Sequence, residues 1–357
     1  MSAQPLQPFG QRLLPTVWHA EHEGGHWAAG GLRPLAAVPV PVAGGTVQYA
    51  LSVFEGLKAY RDTVDGAHLF RVADHARRLQ ASARRLALPA VPEALFVTAC
   101  RDLVRAVAAE LPAGDAGALY LRPALYACDE GLGLRPGRRH GFTVVANPCI
   151  DPPLKSVRLW AEPQLSRAAP GGIGGVKAAA NYAAGIGGLL AAQARGYDDV
   201  LWLDAVTHAE LSEAGTMNVF AEIDGVLYTP PLDGTLLAGI TRDTVLQLAP
   251  ALGLQVAESA IPLTTLRSAA ADGRLGAVFG TGTACRLVSI AEIGTEAGVI
   301  VPGPSPLATQ LYVALRQVQR APPEAWCLPV WGGTNPPVMG QGRSEHSQET
   351  NAAPGGA

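Results

Sequence analysis

The sequence predicts an α+β fold of two domains. Strand-like and helical runs follow one another along the chain, and a segment with three prolines and little periodicity, residues 147–155, interrupts them. With 357 residues, of which 48% are hydrophobic, the chain is long enough to bury two cores. We therefore predict a smaller N-terminal domain over 1–146, a linker over 147–156 and a larger domain over 157–333.

The first predicted domain contains strand and helix patterns in succession. Residues 47–59 (VQYALSVFEGLKA) have the composition of strands, and Asp74 is predicted to cap a helix that ends near Leu86. Residues 92–110 carry apolar side chains at helical spacing. Two further apolar runs, 118–126 and 142–146, are predicted strands.

The second predicted domain begins with the strand VRLWAE and continues into a glycine-rich segment, residues 170–188. A short helix over 189–194, the strand DDVLWLD and the strand-like ELSEAGTMNVFAEI follow. A helix is expected to begin near Ile240, two short strands follow Gly276, and a helix over 307–320 is expected near the end. Residues 334–357 are rich in Gly, Pro and Ser, which predicts a disordered tail.

Charge and cysteine usage exclude several classes of protein. The formal net charge is −3 and there is no basic stripe, so we predict no nucleic-acid partner. No run of about 18 apolar residues and no secretory leader pattern occurs, so we predict a cytoplasmic protein without a membrane span. Five dispersed cysteines and histidines without HExxH or HxH spacing predict neither disulfides nor a metal site.

Lysine is rare in this chain. It occurs at three positions, Lys58, Lys155 and Lys177, whereas the other basic residues are arginines. A guanidinium neither forms an imine nor loses its proton in proteins, so the remaining lysines are candidates for amine chemistry. Compositional drift explains the count equally well.

Lys177 lies in the glycine-rich run GGIGGVKAAANY. Small neighbours let a flat ring approach the backbone and leave the amine partly desolvated, which lowers the pKa of a nucleophilic lysine. Ala178 follows the lysine, so the segment does not match the phosphate-binding pattern GxxxxGK[ST]. We interpret Lys177 as an imine-forming lysine.

Three other segments supply partners for such a lysine. Glu213, in the apolar run LSEAGTMNVF, can direct a carboxylate inward, although a surface position at a strand entrance is the alternative. Ile240 and Thr241 lie at a predicted helix start, where free N–H groups favour a phosphate. The turn FGTGTAC offers further amides, and Arg78, in HARRLQ, offers a charged partner.

Taken together, the order and wording of these segments resemble the branched-chain aminotransferases, which are fold-type-IV pyridoxal-phosphate enzymes, in their larger, eukaryote-like subgroup. The resemblance runs from about Tyr49 to Ala284 and rests on the segments YALSVFEGLKAY, LFRVADHARRLQASARRLALP, LYLRPALY, GGVKAAANYA, VLWLD, LSEAGTMNVF, TPPLDGTLLAGITRDTV and VFGTGTAC. It implies a two-domain fold with the active site between the domains, pyridoxal 5'-phosphate as cofactor, and a homodimer. It also implies transfer of the amino group of L-leucine, L-isoleucine or L-valine to 2-oxoglutarate, giving glutamate.

The resemblance assigns roles by position. Lys177 matches the Schiff-base lysine, Tyr182 the partner of the ring oxygen, and Glu213 the partner of the ring nitrogen. The remaining cofactor-binding positions match Arg78, Ile240, Thr241, Thr283 and Arg167. The substrate-pocket positions match Tyr49, Phe54, Tyr120, Arg122, Thr216 and Ala284. Arg122 has two readings, one as a ligand of the second substrate's carboxylate and one as a brace for the tyrosines.

Other readings compete with this one. The turn of the family's vertebrate members runs into a redox-active CxxC, whereas here Cys285 has Val288 in the partner position, so no thiol switch of that kind is expected. D-amino-acid aminotransferase and aminodeoxychorismate lyase share the lysine and glutamate logic but differ in the pocket. A glycine-rich nucleotide-binding protein is disfavoured because no GxGxxG follows a strand.

Overall fold

The structure is a computed structural model that describes residues 6–62 and 66–331. In this part of the chain, the strands form two separate sheets of nine strands each, and the helices pack on them. No helix among these residues has the length and apolar character needed to cross a membrane. The predicted α+β class is confirmed. The predicted tail, 334–357, lies outside the described residues.

The first sheet consists of β1 (Thr16–Glu23), β2 (His26–Trp27), β3 (Gly31–Pro34), β4 (Ser52–Phe54), β5 (Leu57–Arg61), β6 (Ala67–Phe70), β7 (Gly117–Ala127), β8 (His140–Ile150) and β18 (Cys327–Trp331). It is antiparallel throughout, in the order β18-β6-β5-β7-β8-β1-β2, with β3 paired to β1 and β4 to β7. Helices α1 (Gly45–Tyr49), α2 (Val72–Arg85) and α3 (Glu93–Ala106) accompany it. Leu79, Phe96, Leu103 and Phe142 belong to its buried core.

The second sheet runs in the order β11-β10-β9-β16-β15-β12-β13-β14, and β11 also pairs with β12, so six of its strands close a ring. Its strands are β9 (Ser156–Ala161), β10 (Asp199–Leu203), β11 (Leu211–Ala214), β12 (Met217–Ile223), β13 (Val226–Thr229), β14 (Gln255–Glu258), β15 (Leu275–Gly282), β16 (Arg286–Thr295) and β17 (Gly298–Ile300). The helices here are α4 (Ala179–Ala194), α5 (Ile240–Leu248), α6 (Leu263–Ala271) and α7 (Leu307–Arg320).

Part of the predicted strand over 47–59 is a helix. Residues Gly45–Tyr49 form α1, and Ala50 ends it in the left-handed conformation with φ 52°. The Thr46 hydroxyl can donate to the carbonyls of Leu51 and Ala127, at 3.1 and 2.8 Å, which ties this turn to β7. A tertiary contact therefore overrides the strand composition of the segment.

Two predicted boundaries also move. Helix α2 begins at Val72, after Arg71 with φ 53°, so Asp74 is not the cap but accepts a hydrogen bond from Arg71 Nε at 2.6 Å inside the first turn. Strand β8 continues to Ile150 because its last residues pair with the start of β7. The segment between the sheets that lacks regular structure is thus 151–155, shorter than the predicted linker.

The glycine-rich segment of residues 170–188 becomes helical earlier than predicted, since α4 begins at Ala179 instead of residue 189. Gly188 permits this helix to lie against β10, because a Cβ there would come within 2.2 Å of the Trp202 ring. Strand β18, near the end of the described chain, pairs with β6 of the first sheet. The division into two domains at 147–156 remains a prediction.

Candidate active site

A cavity of about 320 Å³ brings together residues from both sheets. Twelve of the fourteen predicted site residues line it: Phe54, Arg78, Tyr120, Arg122, Lys177, Tyr182, Glu213, Thr216, Ile240, Thr241, Thr283 and Ala284. Arg167 lies just behind, against Glu213. Tyr49 does not line it; its side chain is 41% exposed and its hydroxyl contacts the Leu132 carbonyl.

Lys177 is held in place through its backbone. Its N–H donates to the buried Ser82 hydroxyl of α2 at 3.0 Å, and its carbonyl accepts from Phe54 N–H of β4 at 3.0 Å. The Asn181 amide donates to the carbonyls of Ile173 and Val176, both at 2.8 Å, which fixes the glycine-rich loop before the lysine. The position of the amine is therefore set by α2, β4 and the first turn of α4.

The amine of Lys177 is tuned toward its neutral form. Its Nζ lies 2.7 Å from the Tyr182 hydroxyl and 4.9 Å from the centre of the Phe54 ring. Desolvation, followed by the positive charge of Arg78, lowers the pKa of the Lys177 amine to about 7. Desolvation also raises the pKa of Tyr182 to about 12, so this phenol stays protonated at neutral pH. A neutral amine near pH 7 is a competent nucleophile and base.

Glu213 is a buried carboxylate on β11 that faces the cavity. Arg167 Nη2 lies 2.5 Å from one oxygen, and the other oxygen accepts from Leu237 N–H at 3.2 Å and the Asn218 amide at 3.3 Å. Burial raises the pKa of the carboxyl, whereas Arg167 opposes that rise. The alternative of a surface glutamate is excluded because Glu213 is only 4% exposed.

Another part of the wall is suited to an anion. Helix α5 begins at Ile240, where the first backbone N–H groups have no partner inside the helix. Gly239 precedes it, and a Cβ there would come within 1.9 Å of Asn218 Oδ1, so the close approach requires glycine. Arg78 and Thr281 line the same cavity, and the buried Thr281 hydroxyl has no hydrogen-bond partner among the described residues.

The turn 283–285, between β15 and β16, forms a further part of the wall. Behind it, the buried Lys58 donates from Nζ to the Ala284 carbonyl at 3.3 Å and does not line the cavity. Lys155 is exposed. Of the three lysines, Lys177 is the one whose amine the cavity can use.

The aromatic wall combines two predicted residues with one that sequence reasoning missed. Phe9 contacts Tyr120 with ring centroids 4.5 Å apart, and the guanidinium of Arg122 lies 4.6 Å from the centre of the Phe54 ring. Arg122 also donates to the Tyr120 hydroxyl at 3.1 Å, as the bracing role requires. No periodic signal in the N-terminal segment points to Phe9.

Glu55 was also missed, although a signal existed for it. Like Glu213, it is an acidic residue within an apolar strand-like run, VFEGL. It is fully buried and forms a two-point contact with Arg78.

Among residues 6–62 and 66–331, no cluster of three His, Cys, Asp or Glu side chains could hold a metal ion.

Comparison with known proteins identifies the family of this chain. A family model described as "Amino-transferase class IV" matches residues 52–293. Branched-chain-amino-acid transaminase 1 of Bacillus subtilis is 34% identical over 319 residues, which cover 87% of this chain and 90% of that protein. The branched-chain-amino-acid aminotransferase of Mycobacterium tuberculosis is 37% identical over 291 residues, covering 77% of this chain and 79% of that protein.

Solved structures agree. The branched-chain aminotransferase of Thermoproteus uzoniensis, solved with norvaline, aligns with a TM-score of 0.74 and 27% identity over 90% of this chain and 100% of that one. The branched-chain amino acid aminotransferase of Thermobaculum terrenum in its PLP form aligns with a TM-score of 0.73 and 25% identity, with the same coverage. The chain belongs to the class IV aminotransferases and, within them, to the branched-chain-amino-acid aminotransferase family.

Proposed function

We propose that this chain is a branched-chain-amino-acid transaminase that uses pyridoxal 5'-phosphate. It reversibly transfers the amino group of L-leucine, L-isoleucine or L-valine to 2-oxoglutarate. The observation that carries the proposal is a single cavity lined by the amine of Lys177, the carboxylate of Glu213, and Arg78 beside the start of α5. These are the three groups that an aldehyde, a pyridine nitrogen and a phosphate require.

The residues present fit this cofactor. Lys177 would hold it covalently, Tyr182 would donate to its ring oxygen, and Glu213, backed by Arg167, would hold the proton on its ring nitrogen. The phosphate would be held by Arg78, Thr283 and the N–H groups of Ile240 and Thr241, near the unpartnered Thr281 hydroxyl. When bound, pyridoxal phosphate supplies an electron sink for the charge left at the substrate's α-carbon.

The protein's own groups supply the proton transfer. The amine of Lys177, neutral in a large fraction of molecules at pH 7, accepts the proton from the α-carbon of the amino acid and can return it in the reverse direction. The amides near Thr283 and Ala284 bind the substrate carboxylate. Phe54 and Tyr120 provide the apolar surface for a branched side chain, Thr216 also lines the cavity, and Arg122 braces Tyr120.

An absorbance experiment tests the proposal. Purified protein with pyridoxal phosphate should show the band of a lysine-bound cofactor, and L-leucine should shift that band whereas D-alanine should not. A colourless protein, or a shift with D-alanine and none with L-leucine, would contradict it. Product analysis with 2-oxoglutarate should detect glutamate in equimolar amount with the branched 2-oxo acid.

A homodimer is the second part of the proposal. Five exposed apolar side chains lie on two neighbouring segments joined by the hydrogen bond from Gly131 N–H to the Ala43 carbonyl at 3.0 Å. We call this set the apolar face: Val42, Val47, Tyr49, Leu132 and Leu134. Clustered exposed apolar residues are typical of interaction sites. A second copy covering this face would let Tyr49 contribute to a substrate pocket that its own chain does not give it.

Mass measurement in solution tests the dimer. Leu134, 77% exposed, is replaced by aspartate, and the dimer is expected to dissociate because a charge would be buried at the contact. Val206→Asp, at another exposed apolar position of 72%, is the matched control and should stay dimeric. An active monomeric native protein would contradict the proposal.

We also propose a cytoplasmic location, supported by five cysteines that form no disulfide.

A further inference from the structure

Glu55 lies outside the cavity, directly behind Arg78. Its Oε1 accepts from Arg78 Nε at 2.7 Å, and its Oε2 accepts from Arg78 Nη2 at 2.8 Å. His75 Nδ1 lies 2.7 Å from the same Oε2. Glu55 is 0% exposed and His75 is 2% exposed. A planar two-point contact of this kind fixes both the position and the plane of a guanidinium.

The contact determines which donors of Arg78 remain. A guanidinium has five N–H groups. Glu55 accepts from Nε and from one group on Nη2, and the Ala238 carbonyl accepts from Nη1 at 3.0 Å. One N–H on Nη1 and one on Nη2 are left for an anion in the cavity, which Arg78 lines beside Ile240 and Thr241.

The charges of Glu55 and Arg78 cancel. Burial alone would raise the pKa of the Glu55 carboxyl, but the charge and hydrogen bonds of Arg78, then those of His75, hold it well below its usual range. Burial lowers the pKa of His75, so its imidazole is neutral at pH 7. Glu55 therefore neutralises Arg78 and cannot be explained as an attractor of the anion itself. Its remaining effect on an anion is through the orientation of the guanidinium.

We propose that Glu55 is a positioning residue that holds Arg78 in the orientation that binds the cofactor's phosphate group. This inference rests on the proposed cofactor site. His75, one turn before Arg78 on α2, restrains Glu55 in turn. Glu55 acts from behind an arginine, whereas Glu213 faces the cavity directly.

The experiment compares two cofactors that differ in the phosphate. Glu55→Gln in the full-length chain removes one acceptor of the two-point contact while keeping the side-chain shape. Affinity for pyridoxal phosphate should fall about 10- to 100-fold, whereas affinity for pyridoxal, which lacks phosphate, should change less than about twofold. Inorganic phosphate should also compete less well with pyridoxal phosphate for the variant than for the native protein.

Glu162→Gln is the matched control. Glu162 is 4% exposed and accepts from the backbone N–H groups of Gln164 and Leu165, at 3.0 and 3.1 Å, without an arginine partner. Its substitution should leave both affinities unchanged. If Glu55→Gln lowers both affinities equally, or neither, the inference is overturned. If Glu55→Gln does not fold, Glu55→Asp replaces it, and the same selective loss for the phosphate-bearing cofactor is expected.

Arg78→Lys separates failure of the inference from failure of the site. In that background, Glu55→Gln should cause no further loss of pyridoxal phosphate affinity, because the orientation it controls is already gone. A further loss as large as in the native background would overturn the positioning role. An unchanged preference for pyridoxal phosphate over pyridoxal in Arg78→Lys alone would instead show that the phosphate site itself is wrongly assigned.

Discussion

Two buried arginine–glutamate pairs serve this cavity in opposite senses. In the pair Arg78–Glu55 the arginine faces the cavity and the glutamate lies behind it, whereas in the pair Arg167–Glu213 the glutamate faces the cavity and the arginine lies behind it. Each pair is neutral as a whole, so both charges tolerate burial. The same two residue types therefore present a cation in one place and an anion in the other, according to which partner lies inside.

The pKa values of the two carboxyls differ accordingly. Arg78 and His75 hold the pKa of Glu55 well below its usual range, because both its oxygens are occupied by strong donors. Burial raises the pKa of Glu213 even though Arg167 opposes it. Glu55 is thus a closed contact, and Glu213 is a carboxylate that gains from a further donor such as a protonated ring nitrogen.

The largest expected effect comes from removing the amine on which both pairs act. Lys177→Ala should lower kcat for leucine transamination by about 10⁴-fold, because the nucleophile and the general base are lost together. Steady-state kinetics and the absorbance spectrum measure it. Lys155→Ala, at an exposed lysine, is the control and should be fully active. Turnover by Lys177→Ala at a tenth of the native rate would disprove the assignment.

Breaking the second pair should cost stability. Arg167→Met leaves the buried carboxylate of Glu213 without its cation, and the free energy of unfolding in urea should fall by about 3–5 kcal/mol. Arg274→Met, which breaks two exposed ion pairs, with Asp224 and Asp272, should leave the free energy of unfolding essentially unchanged. Equal midpoints for native protein and Arg167→Met would mean that the buried pair does not stabilise the fold.

Glu213→Gln should affect mainly kcat, whereas Glu55→Gln should affect mainly the affinity for the cofactor. Loss of the anion that faces the cavity should lower kcat by about 10²- to 10³-fold, while cofactor affinity changes much less than in Glu55→Gln. Saturating kinetics and a cofactor titration on the same two variants measure the contrast. If both substitutions alter kcat and affinity in the same proportion, the two pairs do not have separate roles.

The smallest expected effect is a shift of titration. In the cofactor-free chain, reaction of Lys177 with an amine reagent should rise with pH to a midpoint near 7, since desolvation and then Arg78 favour the neutral amine. Glu55 and Glu213 both raise this pKa, so either Gln variant should move the midpoint to lower pH, and Arg78→Met should move it to higher pH. A midpoint near the ordinary 10.5 would contradict the desolvated environment.

Much of the fold was predictable because local patterns decide it. Helix α7 has the predicted span, and α2 and α3 lie within about four residues of theirs, since their apolar spacing agrees with the side that they bury. Helix α1 was not predictable, because contacts of Thr46 with β7 override a strand-like composition. The early start of α4 was likewise hidden by its glycines, of which Gly188 is required by the closeness of the Trp202 ring.

The sequence by itself identified the candidate groups: one lysine among small residues, and an acidic residue in an apolar strand-like run. These are local features, because the residue types and their neighbours already restrict what the groups can do. The tertiary structure alone decided that Glu55 restrains Arg78, that Arg167 neutralises Glu213, and that Phe9 joins the aromatic wall. Such contacts join distant parts of the chain, and the burial that selects them exists only after both sheets have formed.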